Sequence, residues 1–112
     1  MNLELENIEN ICVIHIKDRV TSVNYRILES FFMEQYEKGE TTFLFNTSEM
    51  NYISSAGLRV FLIAKKLINK KQGVICISGL NESLKEIFDI SGFSSFFTFF
   101  KSQDEAISYF KQ

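Results

Sequence analysis

Ser54 and Ser55 are the side chains in this sequence best placed to take part in chemistry. They fall in the run Ile53-Ser54-Ser55-Ala56-Gly57-Leu58, where a connector gives way to a helical pattern. In open α/β sheets, ligands and reacting groups gather where strand ends feed helix N-termini. A helix N-terminus offers unpaired amide donors and a partial positive charge. A phosphoryl group on a serine there would be held without unfolding the helix. It would also add about −1.5 to −2 charges to the surrounding surface. Gly57 removes a side chain from the first turn, which lets another backbone or a partner come close. Serine is also a preferred N-cap, so capping alone accounts for either Ser54 or Ser55 at this level.

Other chemistry finds little support. Ser55 as a nucleophile would need a general base, and His15 is the one histidine in the chain. It lies within a strand-like run, where a satisfied structural histidine is expected. No G-x-S-x-G elbow, P-loop or G-x-G-x-x-G fingerprint occurs. The acids are scattered over helix surfaces, with no pair for acid–base work. Cys12 and Cys76 lack CxxC spacing, which excludes the common zinc patterns. Both sit in apolar runs, so buried free thiols are expected rather than a disulfide. Lys65, Lys66, Lys70 and Lys71 read as a solvated helix face. The expectation is therefore a protein that is not an enzyme and that needs no metal or cofactor.

The elements that must position the two serines follow from periodicity, glycines and caps. Leu3 and Leu5 alternate with Asn2, Glu4 and Glu6, as in a short edge strand, and residues 7–10 are turn-rich, so a hairpin is expected. Residues 11–16 (ICVIHI) read as a strand covered on both faces, followed by a loop over 17–21. Ser22 can cap a helix whose apolar stripe is Val23, Ile27, Leu28, Phe31 and Phe32, with Gly39 as its stop. Residues 42–46 (TFLFN) form a second internal strand, and 47–53 a connector carrying Met50, Tyr52 and Ile53. A helix then runs from Ser54 or Ser55 to about Asn69, ending among lysines that suit its negative pole. Residues 74–78 (VICIS) are a third internal strand. Asn81 caps a short helix with Leu84, Ile87 and Phe88 inward, and residues 96–100 (FFTFF) are a last strand. Ser102 caps a final helix with Ala106, Ile107 and Phe110 on one face. Alternation of this kind predicts an α/β fold with a mostly parallel sheet and right-handed crossovers.

The run Ile53-Ser54-Ser55-Ala56-Gly57-Leu58-Arg59-Val60-Phe61-Leu62 resembles the central motif of the STAS domain family, the bacterial anti-sigma factor antagonists. The similarity continues through Lys71-Gln72-Gly73 before VICIS, through residues 84–93 (LKEIFDISGF), and through the segment 99–106 with Ser102 and Glu105. It covers nearly the whole chain from about Ile11. The resemblance implies one STAS-like domain over residues 1–112, with a mixed sheet of about five strands, about four helices and an edge hairpin first. It implies that the chain binds an anti-sigma factor that is also a serine kinase, and that phosphorylation of Ser55 breaks the complex. A serine phosphatase would be a further partner. The contact surface it implies takes in Thr21, Ser22, Met50, Tyr52, Ser54, Ala56, Gly57 and Arg59. The other function it implies is a constitutive adaptor subunit of a transporter or signalling assembly, with no modification. Ser54 stands where many members carry an aspartate. Asp18-Arg19-Val20-Thr21 stands where many carry a glycine and an acidic residue. Both differences make the patch less negative and bear on partner choice.

Bulk properties agree with a small folded domain. The 112 residues suit a single core, and 46% hydrophobic with 23% charged residues argues against disorder. A net charge of −2 supplies no field for gripping nucleic acid. No targeting segment or membrane span is visible, so a cytoplasmic location is expected. Phe93, Phe96, Phe97, Phe99 and Phe100 make an unusual cluster, read mainly as core. Phe93 is the one expected to be partly exposed and to join the contact surface.

Overall fold

In a computed structural model describing residues 1–111, Glu9 takes the left-handed region at φ 55° and turns the chain tightly between two strands. Strand β1 (Asn2–Ile8) pairs antiparallel with β2 (Ile11–Val20), as the alternating N-terminus predicts. The order then runs α1 (Tyr25–Glu37), β3 (Thr42–Ile53), α2 (Ser55–Lys70), β4 (Val74–Ser78), α3 (Glu82–Ile90), a 3₁₀ turn (Ser94–Phe96), β5 (Thr98–Phe100) and α4 (Gln103–Phe110). The sheet order is β1-β2-β3-β4-β5, and every pair after the first is parallel. Consecutive strands are neighbours, so crossovers of one hand put α1, α2 and α3 on one face. This is the mixed five-stranded, four-helix α/β architecture that the residue pattern predicts.

The strands' two-residue period divides the core. Cys12, Ile14 and Ile16 of β2, Phe43 and Phe45 of β3, and Ile75 and Ile77 of β4 face the three crossover helices. There an aromatic chain locks the layers, with Phe32–Phe43, Phe45–Phe61 and Phe61–Phe88 ring centroids 4.8, 4.9 and 5.6 Å apart. Ile11, Val13, Leu44 and Cys76 point the other way, against Ala106 of α4. Cys12 and Cys76 thus belong to opposite faces and stay free. Burial pushes the Cys12 thiol up to about 12 and that of Cys76 up to about 11, which leaves both unreactive.

Several boundaries differ from the sequence expectation. The predicted loop over 17–21 and connector over 47–53 are mostly strand, since β2 and β3 pair on to Val20 and Ile53. They form a two-stranded ribbon beyond the end of β4, whose last residue, Ser78, pairs with Asn46. Register shifts at His15/Lys17 and at Asp18/Arg19, with Asp18 at φ 71°, break the period of two. The buried residues of this stretch of β3 are therefore Thr47, Met50 and Ile53, three apart, which disguises the strand. Ser22 does not cap α1. The Thr21 hydroxyl accepts from the Val23 and Asn24 amides, the Asn24 side chain accepts from the Thr21 amide, and the helix begins at Tyr25. Val23 and Ile27 consequently leave the predicted stripe and are 88% and 51% exposed, while Leu28, Phe32 and Gln35 are buried. The predicted last strand is a 3₁₀ turn followed by three strand residues. Among the described residues, no helix is long and apolar enough to cross a membrane.

Candidate functional site

The end of β3 is tied to the neighbouring strand where the Ser54 amide donates to the Val20 carbonyl at 2.9 Å. That bond leaves Ser54 extended, at φ −86° and ψ 171°, with its hydroxyl turned back onto the first turn of α2. Its Oγ accepts from the Gly57 amide at 3.1 Å, and its carbonyl accepts from the Leu58 amide at 2.9 Å. Ser54 is therefore the N-cap and Ser55 the first helical residue. The two adjacent hydroxyls take different roles. That of Ser54 is occupied by the cap. That of Ser55 is exposed and has no hydrogen-bond partner among the described residues.

Gly57 is buried, and its role is internal. A Cβ there would lie 2.7 Å from Val20 Cγ1 and 2.8 Å from Ile53 Cγ1. The missing side chain lets the β2–β3 ribbon pack under the helix start, so Gly57 leaves the predicted contact surface. Met50 leaves it too, at 2% exposed within the core beneath the ribbon. Phe93 follows the C-terminus of α3, at the end of the sheet where helices finish, whereas Ser55 lies where they begin. Phe93 is half-buried against the core, and Phe96 beside it is the more exposed ring, at 45%. Neither joins the Ser55 surface.

The remaining predicted residues come together. Thr21 is half-buried in the turn before α1, with Ser22 exposed beside it. Tyr52 is exposed on the ribbon, and the Arg19 guanidinium lies 4.4 Å above its ring. Ala56 and Arg59 line a shallow groove of about 310 Å³ between α2 and α1, together with Tyr25, Arg26, Glu29 and Ile63. Arg19, Val23, Tyr25 and Arg26 extend the surface beyond the predicted set. The Thr21-x-x-Asn24 spacing, which fixes where α1 starts, is the signal that could have found Val23 there.

His15 is remote from this chemistry. It is on the strand face that α4 covers, while Ser55 is on the side of the crossover helices. Its Nε2 lies 2.8 Å from Glu6 Oε1, and that oxygen also accepts from Gln103 Nε2 at 3.1 Å. Those two contacts, His15 first, hold the Glu6 carboxyl below its ordinary value. A cleft of about 670 Å³ opens at the opposite end of the sheet beside Leu5, Asn7, Gly39 and Thr42. It is polar and open, and neither Ser55 nor His15 lines it. Among the described residues no His, Cys, Asp and Glu side chains gather as a metal site.

The sequence matches the STAS domain family over residues 2–106. It is 34% identical over 111 residues to BtrV of Bordetella bronchiseptica, a candidate anti-sigma factor antagonist, with 99% of this chain and 96% of the relative covered. A candidate anti-sigma factor antagonist of Thermotoga maritima superposes with a TM-score of 0.93 at 14% identity, covering 98% and 95% of the two chains. The Bacillus cell fate determinant SpoIIAA in its phosphorylated form gives 0.78 at 16%, covering 97% and 99%. At these identities the two structures speak for the fold.

Proposed function

The chain belongs to the STAS domain family, and on that premise we propose that it is an anti-sigma factor antagonist switched off by phosphorylation of Ser55. The observation that carries the reading is the division of labour between the two serines. Ser54 holds the helix start, so Ser55 can be modified without undoing the cap. The unmodified protein binds an anti-sigma factor through Thr21, Ser22, Tyr52, Ser54, Ala56, Arg59 and the exposed start of α1, which frees the sigma factor. The anti-sigma factor is a kinase that transfers the γ-phosphoryl group of ATP to Ser55 Oγ. The hydroxyl proton leaves and ADP is released.

The added dianion stays at the helix N-terminus, where the dipole and the first-turn amides favour it. It faces the partner with charge that must be desolvated, and the complex dissociates. A serine phosphatase returns the hydroxyl. The protein itself performs no catalysis, and such a regulator acts in the cytoplasm beside the sigma factor it releases.

Incubation with the kinase and ATP, followed by mass spectrometry, tests the site. One phosphate on Ser55, lost in Ser55→Ala and kept in Ser54→Ala, is expected. Undiminished modification of Ser55→Ala would overturn it. Ser55→Asp separates a switch from a constitutive adaptor, because a switch loses its partner and an adaptor keeps it.

A further inference from the structure

The chain has three arginines, Arg19, Arg26 and Arg59, and all of them lie around the first turns of α1 and α2. Arg19 is one residue from Val20, whose carbonyl holds the Ser54 amide, and Arg26 shares the groove with Ala56 and Arg59. None is ion-paired among the described residues, although Lys17, Lys38, Lys85 and Lys111 each are. Arg19 rests on Tyr52, and the Arg26 Nε–H donates to the Tyr25 hydroxyl at 3.1 Å. Arg59 makes no hydrogen bond, ion pair or ring contact among the described residues, and it is exposed.

Ser55 and Arg59 are four residues apart on α2, which brings their Cβ atoms to about 5–6 Å. Helical side chains lean toward the N-terminus and cover the preceding turn. Arg59, which lines the groove between α2 and α1, is therefore within reach of the turn that Ser55 begins. An anion placed N-terminal to a cation at this spacing is the favourable order of an i,i+4 pair. A guanidinium also suits a phosphate better than an ammonium does, because its planar fork meets two oxygens at once. The other charges on this surface are Arg26 and Glu29 across the groove, and Asp18 and Arg19 at the ribbon end.

We infer that Arg59 is the anchor of the phosphate on Ser55, pairing with it through two N–H donors and holding it beside the first turn of α2. The inference rests on Ser55 being the modified residue. Phosphorylation then acts twice: it adds a dianion to the contact surface, and it withdraws from the partner the one arginine that makes no hydrogen bond, ion pair or ring contact among the described residues.

Phosphoserine placed at position 55 by genetic encoding tests the pairing without any kinase. The second ionisation of the phosphate is followed by ³¹P resonance against pH in the otherwise unchanged protein and in Arg59→Gln, Arg59→Lys and Lys66→Gln. Pairing lowers this ionisation, so Arg59→Gln is expected to raise it by about half a pH unit, with Arg59→Lys between. Lys66→Gln removes the same charge from the same helix about 16 Å away, beyond a Debye length, and is expected to change nothing. In the unmutated phosphoprotein the Arg59 Nε–H resonance is expected to move downfield relative to the unmodified chain. Equal titration of Arg59→Gln and the parent, or an unmoved Nε–H resonance, would overturn the inference. A kinase that ignores Ser55 would instead overturn the proposed function and leave this measurement standing.

Discussion

Two polar regions of the molecule differ in how their side chains are used. On the face covered by α4, polar groups satisfy one another. His15 meets Glu6, Glu6 accepts from Gln103, and Asn46 donates to Gln103 Oε1 at 2.7 Å. Lys17 closes the row on Glu4 at 2.9 Å. At the start of α2, by contrast, Ser54 is occupied while Ser55 and Arg59 make no hydrogen bond or ion pair among the described residues. Both regions carry residues that a motif search would flag as reactive. The first pins the edge strand β1 and the helix α4 to the sheet. The second leaves Ser55 and Arg59 exposed, as the proposed transfer of a phosphoryl group to Ser55 requires.

The contrast can be broken from the packing side first. Gly57→Ala should cost the most stability. Alanine gains about 1 kcal/mol in helix propensity. Its Cβ, however, meets two buried β-branched side chains at 2.7 and 2.8 Å. Overpacking of that kind costs about 1–3 kcal/mol, and with two contacts the net expectation is a loss of about 2 kcal/mol in urea denaturation.

Ser54→Ala removes the cap and should cost about 1 kcal/mol. Phosphorylation of Ser55 should persist, which sharpens the separation of the two hydroxyls. A Ser54→Ala chain of unchanged stability would mean that the cap contributes nothing.

Gln103→Ala should have a comparable effect on stability, about 1 kcal/mol, because the Asn46 amide loses its acceptor and Glu6 loses a donor. Partner affinity should not change. Weaker binding in that variant would merge the two regions and defeat the comparison.

The smallest effect concerns pH. The folded-state pKa of Glu6 is depressed, so its contribution is present above the unfolded value and is lost as pH falls through the folded one. Glu6 is largely exposed, so the contribution is well under 1 kcal/mol. Between about pH 5 and 3 the parent should lose stability slightly more steeply than Glu6→Gln. Identical slopes would remove the His15–Glu6 pair from the account of the α4 face.

The architecture was legible where hydrophobic runs are short and bounded. ICVIHI, TFLFN and VICIS read directly as internal strands, and Asn81 and Ser102 as caps, because each signal is local. The β2–β3 ribbon was not legible. Its bulges shift burial to every third residue, and Met50 turns inward on a stretch that reads as a polar connector. The start of α1 is hidden in the sequence for a similar reason, since Thr21 and Asn24 bond to each other and Ser22 does not cap the helix. At the site, two adjacent serines carry identical cap signals. Only the bond from the Ser54 amide to Val20, made across strands, decides which hydroxyl is occupied.

The central claim, that Ser55 is the switch, is tested most directly by calorimetric titration of the anti-sigma factor into the unmodified protein and into the protein with phosphoserine at 55. The account predicts tight binding of the unmodified chain and a loss of roughly 100-fold or more on modification, about 3 kcal/mol. Equal affinity for the two forms would contradict it.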